Sequence, residues 1–344
     1  MAVTIKDVAR KSGVSPSTVS RVIADNPRIG DQTKKRVRKV MKEMGYHPNV
    51  SARNLVAQST NSFGVIMPSP VDKALQNPFF PEVLRGIGSV IHKEKYSMSL
   101  STGETEKEIF EEVQRMVYGR SVDGIILLYS RVNDLVTDFL YQEKFPFVMV
   151  GKPHEHINNI THVDNDNYMA GKEITEYLIQ QNHERIAFIG GANDLLVTVD
   201  RQSGYEAALK ESSLATKIDY KVHTEFLESG GREAVENLLS LESPPTGIIV
   251  SDDLVGLGVL SMLKEHGSSV PEDISLASFN NAYLSEITSP TLTTVDINIY
   301  NIGAQAAKAL IEKALDKNEP AKRIIIPHKI IYRESVKSLN NKGF

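Results

Sequence analysis

The sequence predicts a small all-α head containing a helix-turn-helix, then a hinge helix, then an α/β core of two doubly wound parallel-sheet lobes. Three observations lead to this fold class. They are two short amphipathic helices around a glycine turn, a concentration of positive charge in the first 60 residues, and a later alternation of apolar strands with helices. A length of 344 residues exceeds what one hydrophobic core usually serves, so more than one domain is expected.

The first helix is predicted over residues 4–11. Its apolar side chains recur at helical spacing at Ile5, Val8 and Ala9. Thr4 can cap this helix, and Asp7 three residues later complements its free amides and positive dipole end. Gly13 then permits a backbone conformation that a side chain would penalise, so a tight turn is expected there.

The second helix is predicted over residues 15–23. Ser15 is a good cap, and Pro16 fits the first helical position because its missing N–H has no partner there. Its inward face is expected to hold Val19, Val22 and Ile23, and its outward face Ser17, Ser20 and Arg21. The plain alternative is a small helical hairpin with a solvated polar face. The agreement of caps, turn and apolar stripe favours a unit that enters the DNA major groove.

Charge separates the head from the rest of the chain. Residues 1–60 hold twelve Lys or Arg and four Asp or Glu, a net charge of +8. The remaining residues hold 27 basic and 39 acidic side chains, a net charge of −12. Because phosphate binding releases counterions to a cationic surface and an acidic surface is repelled, nucleic acid is expected to bind the head alone.

A third helix and a hinge complete the predicted head. Apolar residues at Val37, Val40, Met41 and Met44 alternate with lysines and arginines, and Gly45 ends the helix. Asn49 can cap a further segment to residue 57, but so short a helix is marginal by itself and would need DNA or a partner to hold it. We therefore expect a DNA-binding domain over residues 1–47 and a hinge over residues 48–60.

Beyond residue 60, short apolar runs separated by helical stretches predict parallel strands covered on both faces. The predicted strands are residues 63–67, 96–100, 124–128, 147–150, 185–190, 222–226, 247–250 and 274–279, with later crossings between lobes at 292–295 and 323–331. So many strands suggest two lobes. A boundary near residues 161–166 gives one lobe of 61–161 and 293–322, and a second of 162–292 and 323–344.

Composition restricts the class of protein further. With 41% hydrophobic and 24% charged residues and no cysteine, the chain is typical of a globular protein in a reducing cytoplasm. Its polar start and the lack of a long apolar stretch argue against export or membrane insertion. No phosphate loop, nucleophile elbow or carboxylate pair is present, so we expect neither an enzyme nor a cofactor. No metal is expected either, because His154-Glu155-His156 has no third ligand nearby.

Several motifs resemble the head and hinge of the lactose-repressor (LacI/GalR) family of bacterial transcription regulators. They are residues 4–9, 13–15, 18–22, 45–49 and 52–55. The resemblance implies a DNA-contacting set of Thr4, Ser15, Pro16, Ser17, Thr18, Ser20, Arg21, Asn49, Ala52, Arg53 and Leu55. Arg21 then stands at a base-reading position suited to guanine, and Leu55 where family hinges wedge a leucine into the minor groove. Pro16 departs from the residues usual at its position, which favours shape reading there.

The same resemblance implies a core similar to periplasmic sugar-binding proteins, with an effector held between the lobes. It assigns the effector contacts to Phe79, Arg201, Phe226 and Asp253. Arg and Asp can each bind neighbouring hydroxyls, and aromatic faces accept the apolar face of a sugar ring. Without the family, either Phe could belong to the core, Arg201 could pair with Asp200, and one of Asp252 and Asp253 could be only a helix cap.

The resemblance finally implies a homodimer that binds a pseudo-palindromic operator on double-stranded DNA and is controlled by a small molecule. The order of motifs, including residues 77–80 and 190–192, is most similar to maltose-operon repressors of Gram-positive bacteria, so a sugar such as maltose is expected. One alternative is a global catabolite regulator whose corepressor is a phosphorylated carrier protein. Asn301 and Lys308 argue against it, because such regulators carry other side chains there. Outside the family, residues 61–344 alone could belong to a sugar-transport binding protein.

Overall fold

The computed structural model describes residues 3–47, 59–68, 70–316 and 318–339. The chain divides into two compact units, residues 1–60 and residues 61–344. The predicted hinge positions Asn49, Ala52, Arg53 and Leu55 lie outside the described residues. Among the residues described, no helix is long and apolar enough to cross a membrane.

The described residues of the first unit form three helices: α1 (Ile5–Ser12), α2 (Pro16–Ile23) and α3 (Asp31–Met44). At the start of α1, the Asp7 amide donates to the Thr4 hydroxyl at 3.4 Å and the Thr4 amide donates to the Asp7 carboxylate at 3.1 Å. This reciprocal cap satisfies two amides that the helix leaves without partners. Gly13 ends α1 with φ of 65°, a left-handed conformation that glycine adopts without a steric penalty.

Ser15 caps α2, where its hydroxyl accepts a hydrogen bond from the Thr18 amide at 3.2 Å. The apolar faces of the three helices meet in one small core made of Val8, Ala9, Val19, Val22, Val37 and Val40. The three helices predicted before Gly45, the caps at Thr4 and Ser15 and the inward apolar stripe are therefore confirmed.

The described residues of the second unit form two six-stranded sheets. The first sheet holds β1 (Ser62–Ile66), β2 (Ser97–Leu100), β3 (Gly124–Leu127), β4 (Phe147–Val150), β5 (His162–Asp164) and β11 (Arg323–Ile325), in the order β11-β5-β4-β3-β1-β2. The second holds β6 (Ile186–Gly190), β7 (Lys221–His223), β8 (Gly247–Val250), β9 (Ser275–Phe279), β10 (Thr293–Asp296) and β12 (Lys329–Ile331), in the order β12-β10-β9-β8-β6-β7. All pairs are parallel except β10 with β12.

Helices connect the strands of each sheet. Those associated with the first sheet are α4 (Val71–Gln76), α5 (Phe79–Ile91), α6 (Glu106–Tyr118), α7 (Leu135–Gln142) and α13 (Ile299–Leu315). Those associated with the second are α8 (Asn167–Gln180), α9 (Leu196–Glu211), α10 (Glu228–Leu239), α11 (Asp253–Glu265) and α12 (Tyr283–Ile287). The central strands are buried along their whole length, as expected for sheets with helices on both faces. We call each sheet with its helices a lobe.

The predicted lobe boundaries require correction. The strand at residues 162–164 pairs with β4 and belongs to the first lobe, while the strand at residues 293–296 pairs with β9 and belongs to the second. The predicted crossing at residues 323–331 is two strands, one in each sheet, since β11 pairs with β5 and β12 with β10. The chain therefore passes between the lobes after β5, after β10 and after β11. Each of these strands lies in the sheet whose free edge it pairs with. The prediction was wrong because a short apolar run does not show which strand it will pair with.

Candidate nucleic-acid interface and ligand cavity

The outward face of α2 carries the predicted base-reading residues. Pro16, Ser17, Ser20 and Arg21 are all exposed, whereas Thr18 is half-buried. The face thus presents short side chains near the amino end of the helix and one guanidinium a turn later. Short side chains would allow the start of the helix to come close to base edges in a DNA groove, and the longer Arg21 side chain could extend to them from one turn further along.

Local hydrogen bonds occupy some of the other predicted contacts. The Thr4 hydroxyl lies 2.6 Å from the Asp7 carboxylate, and the Ser15 hydroxyl lies 2.8 Å from that of Ser17. Thr4 and Ser15 thus define where the two helices start.

Helix α3 supplies much of the positive charge of the head. Lys34 and Arg38 lie 3.0 and 2.6 Å from the Asp25 carboxylate, and these hydrogen-bonded cations lower the pKa of Asp25. Lys35, Arg36, Lys39 and Lys42 are exposed along the same helix. Such cations can neutralise DNA phosphates without reading sequence.

In the second unit a cavity lies between the two lobes, at the carboxyl ends of strands from both sheets. It contains about 890 Å³ of empty space, part of it open to solvent. Its walls include the predicted Phe79, Arg201 and Phe226, together with Asn77, Asn167, Asp164, Asp252 and Asn280. The structure thus brings three of the four predicted effector residues together. We call this space the interlobe cavity.

Arg201 is the buried cation of the interlobe cavity and is only 4% exposed. It lies within α9, which begins at Leu196. Its Nε donates to Asn167 Oδ1 at 2.9 Å, its Nη1 donates to the Ser251 carbonyl at 2.7 Å, and its guanidinium lies 4.1 Å from the centre of the Phe279 ring. Burial lowers its pKa to about 10, and nearby carboxylates oppose this effect, Asp252 most strongly. The alternative pairing with Asp200 does not occur, since Asp200 binds Lys152.

Of the two consecutive aspartates, Asp252 lines the cavity and Asp253 does not, which corrects the prediction for Asp253. Asp253 Oδ1 accepts from Ser278 at 2.5 Å and Thr294 at 3.0 Å, and its Oδ2 accepts from the Ala282 amide at 2.6 Å. It thereby fixes the loop after β9 instead of facing the cavity. The physical reason is helical geometry, because consecutive residues at the start of α11 project in different directions.

Asp252 has two roles. Its Oδ1 caps α11 by accepting from the Leu254 amide at 2.7 Å, and its Oδ2 accepts from Asn77 at 2.8 Å and from Asn280 at 2.7 Å. Burial raises its pKa to about 6 against the opposing effect of the hydrogen bond from Asn77. Since Asn77 belongs to the first lobe and Asp252 to the second, this contact joins the lobes beside the cavity.

The two predicted aromatic residues lie on different lobes. The Phe79 amide donates to Asn77 Oδ1 at 2.9 Å at the start of α5. Phe226 does not end a strand as predicted, because β7 stops at His223 and Phe226 follows in the loop before α10. Gly191 leaves room for its ring, since a Cβ at that glycine would lie 2.3 Å from Phe226 Cζ. Aromatic side chains of both lobes thus line the cavity, Phe79 from the first lobe and Phe226 from the second.

Sequence reasoning missed Asn77, Asn167, Asn280 and Asp164. Asn280 directly follows β9 and has φ of 103°. The rule that ligands collect at the carboxyl ends of strands could have identified it. Asp164 ends β5, a three-residue strand that was not predicted, and burial raises its pKa to about 7. Asn167 was not found because it belongs to the site through its hydrogen bond with Arg201, which lies 34 residues further along the chain.

Comparisons with known proteins agree with both units. Residues 4–49 match the model of bacterial regulatory proteins of the lacI family, and residues 175–336 match the periplasmic binding protein-like domain. The HTH-type transcriptional regulator MalR of Streptococcus pneumoniae is 42% identical over 96% of this chain and 99% of its own length. Catabolite control protein A of Priestia megaterium is 34% identical over 98% of this chain and 100% of its own length.

Solved structures show the same likeness. A LacI transcriptional regulator from Bacillus cereus subsp. cytotoxis has 53% identity and a TM-score of 0.80, covering 81% of this chain and 99% of that one. A protein described as a probable maltose operon transcriptional repressor from Staphylococcus aureus has 31% identity and a TM-score of 0.73, covering 80% of this chain and 98% of that one. The chain therefore belongs to the lacI family of bacterial regulatory proteins and is a helix-turn-helix transcriptional regulator.

Proposed function

We propose that this regulator is a cytoplasmic homodimeric repressor that binds a pseudo-palindromic operator and changes its DNA affinity when an uncharged sugar enters the interlobe cavity. Maltose is the leading candidate, because the relatives at 42% and 31% identity are named for maltose regulation. The observation that carries the proposal is the placement of Arg201 and Asp252 between aromatic residues of both lobes. Paired hydroxyls suit the polar groups, and a pyranose face suits the rings.

The charges of the cavity favour an uncharged ligand over a phosphorylated one. Arg201 faces the carboxylates of Asp252 and Asp164, and Lys152 Nζ is 2.7 Å from Asp200 Oδ1. Each of these cations is already balanced by a carboxylate. A phosphate would bring further negative charge close to buried carboxylates whose pKa is raised already. A neutral sugar avoids this repulsion while still using the same groups as hydrogen-bond partners.

On DNA we propose that Arg21 binds guanine, that Ser17 makes close groove contacts and that the exposed cations of α3 bind phosphates. The predicted hinge, with Asn49, Ala52 and Arg53 around Leu55, is proposed to fold on DNA as a pair across the dimer. Leu55 would enter the minor groove and open a base step. A hinge that folds only when two copies are suitably placed makes DNA binding depend on the core.

The mechanism we propose is linkage between the two ligands. Contacts between side chains join the lobes. Lys73 Nζ lies 2.8 Å from Glu225 Oε1, and Asn77 donates a hydrogen bond to Asp252. A sugar that binds one separation of the lobes more tightly will shift the population toward it. By reciprocity, operator DNA changes the affinity for sugar by the same factor.

The test is fluorescence anisotropy of a labelled operator, obtained by selection from random duplexes with the full-length protein. Titration with maltose should change the operator Kd at least tenfold, with glucose 6-phosphate as the charged control. No effect of maltose, combined with a response to a phosphorylated sugar or a purine, would overturn the assignment of the effector.

The catabolite regulator is the second candidate, because catabolite control protein A is also similar over the whole chain. Its corepressor would be a phosphorylated carrier protein. Lys308 on α13 is exposed and Asn301 is half-buried. The operator Kd is measured with a phosphorylated carrier protein and, separately, with maltose. If the carrier protein lowers the Kd by a larger factor than maltose changes it, the second candidate replaces the first.

A further inference from the structure

A second groove opens beside the interlobe cavity on the first lobe. It lies at the carboxyl ends of β1 and β3, where α6 and α7 begin, and contains about 1310 Å³ of empty space, part of it open to solvent. Pro68 and Tyr129 line both the groove and the cavity. The two spaces therefore adjoin, with Tyr129 at the boundary. We call the second space the side groove.

The side groove combines an apolar wall with hydrogen-bonding groups. Ile109 and Val136 are buried, and the Phe110 ring packs edge-on against Phe139 with 5.5 Å between ring centres. The polar side chains that line the groove include Glu106, Lys107, Arg131, Asn133, Asp134 and Asp194. Flat apolar surface beside planar Arg, Asn and Asp groups is the combination that sugar rings require.

Arg131 is the central polar group of the side groove. Its Nη1 donates to the Glu106 carboxylate. Its Nε is buried and has no hydrogen-bond partner among the described residues, and lies 3.6 Å from Asp194 Oδ2. A buried donor without a partner is costly, so an arriving acceptor gains there. The 3.6 Å between Arg131 Nε and Asp194 Oδ2 leaves no room for an oxygen atom between them, so a sugar hydroxyl would enter as Asp194 moves aside. It would then accept from Arg131 and donate to Asp194.

Both lobes contribute to this position. Arg131 belongs to the first lobe and Asp194 to the second, and the Val132 amide donates to the Asp194 carbonyl at 2.9 Å. A ligand unit held between Arg131 and Asp194 would therefore contact both lobes. Such a unit raises the affinity for the ligand. It also increases the difference in free energy between the arrangement of the lobes that binds the ligand and the arrangement that does not.

We propose that the interlobe cavity and the side groove form one cleft for a neutral oligosaccharide. One end of the ligand occupies the cavity with Arg201, and the next sugar unit passes Tyr129 to bind Arg131 and Asp194. This rests on the proposed function, because it takes a sugar in the interlobe cavity as given. It adds that the regulator distinguishes chain length.

The experiment is isothermal titration calorimetry of the full-length protein with glucose, maltose, maltotriose and maltotetraose. One of these sugars is the longest that fits wholly within the interlobe cavity. We expect the sugar one unit longer to bind with a Kd at least tenfold lower. Arg131→Met should remove that gain and leave the shorter sugar's Kd within about twofold, since Arg131 does not line the cavity. Arg115→Met, which replaces an exposed arginine of α6, is the matched control and should change neither value.

Asp194→Asn provides a second variant in case Arg131→Met does not fold, because its side chain is 48% exposed and its backbone contact is retained. It should reduce the gain at least threefold. Equal affinities along the sugar series, or equal losses for short and long sugars in both variants, would overturn the side-groove proposal. Absence of binding by every sugar would instead contradict the proposed function.

Discussion

Replacing Arg201 with methionine removes the only positive charge that is fully buried in the interlobe cavity, as far as the described residues show. Methionine retains much of the apolar stem but loses the hydrogen bonds to Asn167 and Ser251 and the contact with the Phe279 ring. It also leaves the carboxylates of Asp252 and Asp164 buried without their cation.

The loss of stability follows from these contacts. Hydrogen bonds from a charged group contribute about 1.5–3 kcal/mol each, and removing one partner of a buried charge network costs about 3–5 kcal/mol in all. The packing of methionine offsets part of this, so we expect the free energy of unfolding to fall by about 3–4 kcal/mol at pH 8. Whole domains are stable by about 5–15 kcal/mol, so the variant should still fold.

The loss should also depend on pH, with a defined sign. Burial raises the pKa of Asp252 to about 6 and that of Asp164 to about 7, so the folded state binds more protons than the unfolded state between about pH 4 and 7. Stability therefore falls as pH rises through this window. Without Arg201 both pKa values rise further, so the variant should recover part of its deficit at pH 5.5.

Urea denaturation at pH 5.5 and pH 8 measures the stability, and calorimetry with maltose measures effector binding, which should weaken at least a hundredfold. Lys210→Met is the control, because Lys210 is exposed on the same helix. A loss below about 0.5 kcal/mol at pH 8, of the size that surface substitutions give, would refute the reasoning. So would a deficit that grows at low pH, or an unchanged response of operator binding to maltose.

Three further substitutions test other parts of the molecule. Arg21→Ala should cost about 1–3 kcal/mol of discrimination between operator and random duplex while retaining salt-dependent nonspecific binding, as anisotropy would show; unchanged discrimination removes Arg21 as a base reader. Gly191→Ala places a Cβ 2.3 Å from Phe226 Cζ, so the ring must leave its place and maltose affinity should fall at least tenfold by calorimetry, with operator affinity unchanged. If sugar affinity is retained, Phe226 is not a ligand contact. Ser15→Ala removes the cap at the Thr18 amide and should destabilise the head by about 1 kcal/mol in thermal unfolding; no shift in the midpoint would contradict the assigned cap.

The head was predictable because its signals are local. The caps at Thr4 and Ser15 and the turn at Gly13 depend on residues within four positions of each other, and the structure has each as expected. The central strands were predictable for a similar reason, since a continuous apolar run bounded by helices has few other interpretations. The strand at residues 247–250 has the predicted bounds.

Features that depend on distant partners were not predictable. Short strands at residues 162–164, 293–296 and 323–325 lie where long-range pairing places them, and apolar runs alone do not distinguish the two sheet edges. In the cavity, the types Arg and Phe were found from motif position, but the choice between Asp252 and Asp253 was not. That choice depends on where α11 begins and on the side chains of Ser278 and Thr294, which occupy Asp253.

The three passages of the chain between the lobes affect how the protein can be made. The first sheet receives β11 and the helix α13 only after nearly the whole second lobe has been synthesised. Since a ribosome adds about 5–20 residues per second, β5 waits about 8–32 seconds with one unpaired edge. Unpaired edges invite pairing with other chains, so nascent copies on one message are at risk of joining through β5 before their own β11 arrives. Neither lobe can be obtained by expressing one continuous segment, and a separate lobe would have to be assembled by joining distant segments with a new linker.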